Sequence, residues 1–157
     1  MSGLDDLYQE VILDHYRRPR NRGHLDAADR TVELVNPLCG DDVTVAIRLD
    51  GERLADVRFT GDGCSISIAS ASMMTDAVSG RTLAEARTAV DAFKRFMRGE
   101  GEAGGDGGGE GGPESIGEAR ALSGVLQFPV RVRCATLAWN ALEMALEGKS
   151  GRAVVTE

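Results

Sequence analysis

Three short runs with strand-like alternation fall between residues 31 and 60: "TVELV" (31–35), "DVTVAIRLD" (42–50) and "LADVRFT" (54–60). The turn "DGE" at 50–52 predicts that the second and third runs pair as an antiparallel hairpin. Along the second run Val43, Val45, Ile47 and Leu49 share one face, and Thr44, Ala46 and Arg48 share the other. A small sheet with one apolar face must be covered by helices.

Segments with helical periodicity stand on both sides of these strands. Residues 4–17 place Leu4, Leu7, Tyr8, Val11 and Ile12 on one helical face, continued by Tyr16. His15 lies near that helix's end, where a structural role is expected of it, its charged form complementing the helix dipole. "SISIASASMMTDAVSG" (65–80) is rich in small residues and stops at Gly80. "TLAEARTAVDAFKRFMRG" (82–99) opens with Thr82 and carries Glu85 three residues later, the pattern of a capping box. "PESIGEARAL" predicts a short helix with Pro113 near its first turn. The last helix, 129–148, begins at Pro129 and ends at Gly148, with Leu137, Ala138, Ala141, Leu142 and Ala145 as its core stripe.

A chain of 157 residues with 42% hydrophobic content is expected to form one domain with a substantial core. No apolar run approaches the ~18 residues that span a bilayer, and the acidic opening "MSGLDDLYQE" has no signal-peptide core, so a cytoplasmic location without membrane attachment is expected. The formal net charge of −7 argues against nucleic acid as a partner. Four of those charges come from Glu100, Glu102, Asp106 and Glu110 in "GEGEAGGDGGGEGG" (99–112), which has nine glycines in fourteen residues and no base. Such a segment has little to bury and reads as a flexible loop inside the domain. Its acids would repel phosphate, which disfavours a phosphate-cradling loop.

The chemistry concentrates on the three cysteines, each at a boundary between elements. Cys39 stands in "ELVNPLCGDDVTV", before a strand; Cys64 follows "TGDG" at a helix start; Cys134 lies near the start of the last helix, preceded by Arg131 and Arg133. Helix N-termini and nearby guanidinium groups favour the thiolate, the form that binds metal or attacks sulfur. An odd number of thiols in a reducing compartment is expected to be free, metal-bound or catalytic. The spacings of 25 and 70 residues match neither a zinc finger nor a ferredoxin. Three thiolates leave a tetrahedral site one ligand short. Gly40 lets the turn bring the Asp41 carboxylate back towards Cys39, with Asp42 as its competitor, and residue chemistry alone does not separate the two.

"ELVNPLCGDDVTV", "FTGDGCSISIASASMMTD" and "RVRCATLAWNALEMAL", with the opening "LYQEVILDHYRRPRNRG", resemble the U-type iron–sulfur scaffold family, the IscU-like proteins, over nearly the whole chain. The resemblance implies an α+β fold with a small three-stranded antiparallel sheet packed by about five to six helices. It implies Cys39, Asp41, Cys64 and Cys134 as metal or cluster ligands, and selects Asp41 over Asp42. Arg133, where the scaffold branch has a histidine, and the extra stretch around 99–120 both resemble the SufU branch. That branch implies a zinc-dependent sulfurtransferase, with Zn2+ as cofactor and Cys39 as the thiol that leaves the metal and accepts sulfur. Its implied partners are a PLP-dependent, SufS-like cysteine desulfurase and downstream cluster-assembly proteins. The alternatives are a scaffold holding a [2Fe–2S] cluster on Cys39, Cys64 and Cys134, and an inert structural zinc adaptor.

Overall fold

The computed structural model describes residues 2–38, 40–99 and 113–154, with side-chain surroundings for residues 9–38, 40–99 and 116–154. Cys39 and the 100–112 stretch of the expected flexible loop lie outside the described residues. Helix α1 (Ser2–Arg17) precedes strands β1 (Arg30–Asn36), β2 (Asp41–Asp50) and β3 (Arg53–Asp62). Helices α2 (Ser65–Val78) and α3 (Leu83–Met97), a 3-10 segment (Pro113–Gln127), helix α4 (Pro129–Leu146) and strand β4 (Gly151–Val154) follow.

The expected antiparallel pairings of β1 with β2 and of β2 with β3 are present, but a fourth strand joins the sheet in the order β3-β2-β1-β4. The sheet is therefore four-stranded and mixed, because β4 runs parallel to β1 from Val32↔Gly151 to Val35↔Val154. The three-stranded antiparallel expectation fails on β4. Four residues are too few to display an alternation, and what makes them a strand is their delivery by α4 to the open edge of β1.

The inward face is Val32 and Leu34 of β1, Val43, Val45 and Ile47 of β2, and Leu54, Val57 and Phe59 of β3. Leu49 was expected on this face but is only partly buried, because the register slips between Arg48↔Asp56 and Leu49↔Leu54 and leaves Ala55 as an extra residue. Helix α4 covers β1 and β2 with its stripe Leu137, Ala138, Ala141, Leu142 and Ala145, all buried. Trp139, on the same helix, stacks on Phe93 of α3 with ring centroids 4.2 Å apart and planes 8° from parallel.

Helix α2 is buried almost all round, which explains its small-residue composition: it packs on α1 and α4 and against the 3-10 segment. The capping box of α3 is present, with the Glu85 N–H donating to Thr82 Oγ1 at 3.0 Å and the Thr82 N–H to Glu85 Oε1 at 3.1 Å. The 3-10 segment runs longer than the short helix expected from its sequence and breaks at Gly117, whose φ of 59° and ψ of −133° are not helical. On α1, Tyr16 does not continue the buried face; it is 44% exposed, and His15 is fully buried in its place. The 3.6-residue period sets His15, not Tyr16, below Val11 and Ile12. His15 bridges Ser72 Oγ (2.7 Å from Nδ1) and Glu118 Oε1 (2.6 Å from Nε2), tying α1 to α2 and to the 3-10 segment.

Candidate metal centre

The starts of three elements converge at one end of the sheet. Asp41 opens β2, Cys64 is the N-cap residue of α2, and Cys134 lies in the second turn of α4. Their potential ligand atoms all lie within 4.8 Å of one another. Asp41 is fully buried, Cys134 is buried, and Cys64 is partly exposed, so the cluster opens towards solvent on the Cys64 side.

Strand geometry separates the two neighbouring aspartates. Asp41 shares the inward face with Val43 and Val45. Asp42 falls on the other face, beside Glu33, and the nearness of the two acids, with a smaller contribution from burial, holds the Glu33 carboxyl above the ordinary carboxylate range. The turn before Asp41 is organised by Asn36: its Oδ1 accepts the Leu38 N–H at 3.0 Å and its carbonyl accepts the Gly40 N–H at 2.9 Å. The two chain neighbours of Cys39 are thus tied to one buried residue.

Two glycines bring β3 and α2 against Asp41. Gly61, at φ 137°, passes so close to the Asp42 carbonyl that a side chain there would collide with it. A Cβ on Gly63 would lie 2.7 Å from Asp41 Oδ1 and 3.0 Å from Ser67 Oγ, so this position also demands the smallest residue. The turn then presents the Cys64 N–H to Asp41 Oδ1 at 3.1 Å. On the far side, Ser70 Oγ donates to the Ala135 carbonyl at 2.5 Å and accepts the Trp139 Nε1–H at 3.1 Å. That chain of bonds locks α2 to α4 beside Cys134.

Asp41 Oδ2 is buried and has no hydrogen-bond partner among the described residues. A carboxylate oxygen left so is costly, and buried charges are ordinarily paired or bound to metal. A four-coordinate cation with sulfur ligands at about 2.3 Å and an oxygen at about 2.1 Å places its ligand atoms roughly 3.5 Å apart, so the cluster needs only small shifts to close on one. Two thiols and one carboxylate therefore fit a metal ion. Arg131 and Arg133 are exposed on the first turns of α4, whereas Cys134 on the same helix is buried. Sequence reasoning passed over Asn36, Gly63 and Ser67; the one signal for them is their nearness in sequence to Cys39 and Cys64.

A model of the NifU-like N terminal domain matches residues 7–107. A relative from Bacillus subtilis (strain 168) named "Zinc-dependent sulfurtransferase SufU" is 42% identical over 150 residues, 96% of this chain and 96% of the relative. "Iron-sulfur cluster assembly scaffold protein IscU" from Streptococcus pyogenes serotype M1 is 39% identical over 100% of this chain and 93% of its own length. Among solved structures, an iron–sulfur cluster assembly scaffold protein for the SUF system from Fervidobacterium islandicum AW-1 superposes with a TM-score of 0.77 at 32% identity, covering 87% of this chain and 94% of that one. By this coverage the chain belongs to the NifU-like N-terminal domain family, together with the IscU- and SufU-type proteins of iron–sulfur cluster assembly.

Proposed function

We propose that this protein is a zinc-dependent sulfurtransferase that accepts persulfide sulfur from a PLP-dependent, SufS-like cysteine desulfurase and passes it to the cluster-assembly proteins downstream, in the reducing cytoplasm. The observation that carries this reading is the buried Asp41 carboxylate, with one oxygen unpartnered among the described residues, in a cluster with the sulfurs of Cys64 and Cys134 whose ligand atoms lie within 4.8 Å of one another. The name of the Bacillus subtilis relative supports the choice of zinc and of sulfur transfer.

Cys39, Asp41, Cys64 and Cys134 would hold the ion. A bound zinc ion keeps its thiol ligands deprotonated and shields them from oxidation. Cys64 and Cys134 stay in place, braced by the α2–α4 hydrogen bonds. Cys39 is the acceptor. Its thiolate attacks the outer sulfur of the partner's cysteine persulfide; a new S–S bond forms on Cys39, the old one breaks, and the partner's cysteine leaves as thiolate. No net oxidation occurs. Arg131 and Arg133 support the step by lending positive charge to the rim near Cys134. Leu38, Phe128 and Val130, 68%, 58% and 67% exposed, flank the cysteine-bearing segments and offer the partner apolar contact.

A second reading, assembly of a [2Fe–2S] cluster on Cys39, Cys64 and Cys134, is favoured by the scaffold names of the Streptococcus and Fervidobacterium proteins. Metal analysis of anaerobically purified protein, combined with desulfurase turnover, separates the two. The zinc reading expects about one zinc per chain, strong stimulation of the desulfurase, and an adduct of about 32 Da, one sulfur atom, on Cys39. Cys39→Ser should abolish transfer, since a hydroxyl carries no persulfide. Bound iron with acid-labile sulfide and no stimulation would replace this reading with the scaffold one.

A further inference from the structure

We infer that Ser67 is a positioning residue for Asp41: its hydroxyl donates to the carboxylate and orients it towards the cation, an inference that rests on the metal-binding reading above. Ser67 lies in the first turn of α2, is 1% exposed, and its Oγ has no hydrogen-bond partner among the described residues. Buried hydroxyls are rarely left so. The other buried hydroxyls of α2 are all engaged: Ser70 with the Ala135 carbonyl, Ser72 with His15 and the Arg20 N–H, and Thr75 with the Ser72 carbonyl. The exception is the one that faces the cluster.

Two observations place it there. The Cβ that Gly63 lacks would touch Asp41 Oδ1 at 2.7 Å and Ser67 Oγ at 3.0 Å, so both oxygens border the small gap that this glycine leaves. The two oxygens of Asp41 are also unequal: Oδ1 accepts the Cys64 N–H at 3.1 Å, while Oδ2 is buried without a partner among the described residues. A buried donor without a partner among the described residues, Ser67 Oγ, and the carboxylate oxygen Oδ1 border one gap, and Oδ2 is the free oxygen of the same carboxylate. In the inferred arrangement the Ser67 hydroxyl turns to donate to Oδ1. With Cys64 N–H and Ser67 O–H both on the carboxylate, its rotation is fixed and Oδ2 is left for the cation. Donors behind a ligating carboxylate typically contribute ten- to hundredfold in metal affinity.

The test is a coupling measurement on the purified full chain, with zinc affinity read by competition against a chelator of known strength. Ser67→Ala should weaken zinc by about tenfold or more. The metal-free form of Ser67→Ala should keep its cooperative melting transition, so that weaker binding is not a failure to fold. In an Asp41→Ala background, Ser67→Ala should change nothing further. Gly63→Ala, which pushes a methyl group between the two oxygens, should reproduce the loss with both residues present. The visible bands of the cobalt(II)-loaded protein should shift in Ser67→Ala and remain the same between Asp41→Ala and the double variant. Unchanged affinity in Ser67→Ala, or an equal loss with and without Asp41, overturns the assignment. Failure of the unsubstituted protein to bind zinc or cobalt instead removes the metal reading beneath it.

Discussion

Asp41 and Asp42 have the same side chain and adjacent positions, yet the pleat of β2 sends one into the cluster and the other to Glu33. Asp41→Asn keeps the size and removes the charge, so it should lower zinc affinity at least about tenfold. Asp42→Asn should leave the affinity within a few-fold of wild type. Chelator competition on both variants decides the point, and equal losses would mean that the face assignment is mistaken. Residue chemistry alone left these two aspartates level, and the period of two that separates them was present in the sequence only once the strand's start was known. Cys64 and Cys134 were easier to see, because thiols at element boundaries are conspicuous. Gly63 and Ser67 were not: their importance comes from their close approach to Asp41, which stands more than twenty residues earlier in the chain.

Among the elements, what could be read in advance was what local chemistry decides. The Thr82–Glu85 capping box follows from four residues and needs no tertiary partner, and it forms as expected. Thr82→Ala should cost about 1 kcal/mol of stability in urea unfolding. Glu85 adds a pH dependence of known sign. The Thr82 backbone N–H, its largest influence, holds the Glu85 carboxyl below its ordinary value of 4.5. A carboxyl lowered in the folded state stabilises it above the unfolded-state value, and that stability is lost as the pH falls through the folded value. Glu85→Gln should therefore flatten the acid limb of the stability curve below about pH 4.5. An unchanged acid limb would show that the bond is not kept in solution. What could not be read was whatever depends on distant placement. Strand β4 exists because α4 delivers it to the edge of β1, and the polar partners that His15 finds when buried, Ser72 and Glu118, come from α2 and the 3-10 segment.

For the chain as a unit, the position of the cluster decides how metal and fold depend on each other. The cluster sits at the ends of β2, α2 and α4, while the core from Val45 and Phe59 to Phe93, Trp139 and Leu142 is fully closed without it. Removing metal should therefore loosen one end of the molecule and leave the layers packed. At a free zinc concentration about a hundredfold above the dissociation constant, bound ion stabilises the folded state by about 2.7 kcal/mol. In a chain of this size that corresponds to a melting temperature roughly 5–10 °C higher than that of the chelated protein. The single tryptophan offers a second reading of the same experiment. Trp139 is fully buried, stacked on Phe93, and hydrogen-bonded to Ser70. Its emission should stay blue-shifted after chelation at 25 °C, even as the melting temperature falls. Identical melting of the two forms would refute a zinc ion bound among these elements, and a red-shifted tryptophan would show that the core depends on the metal after all.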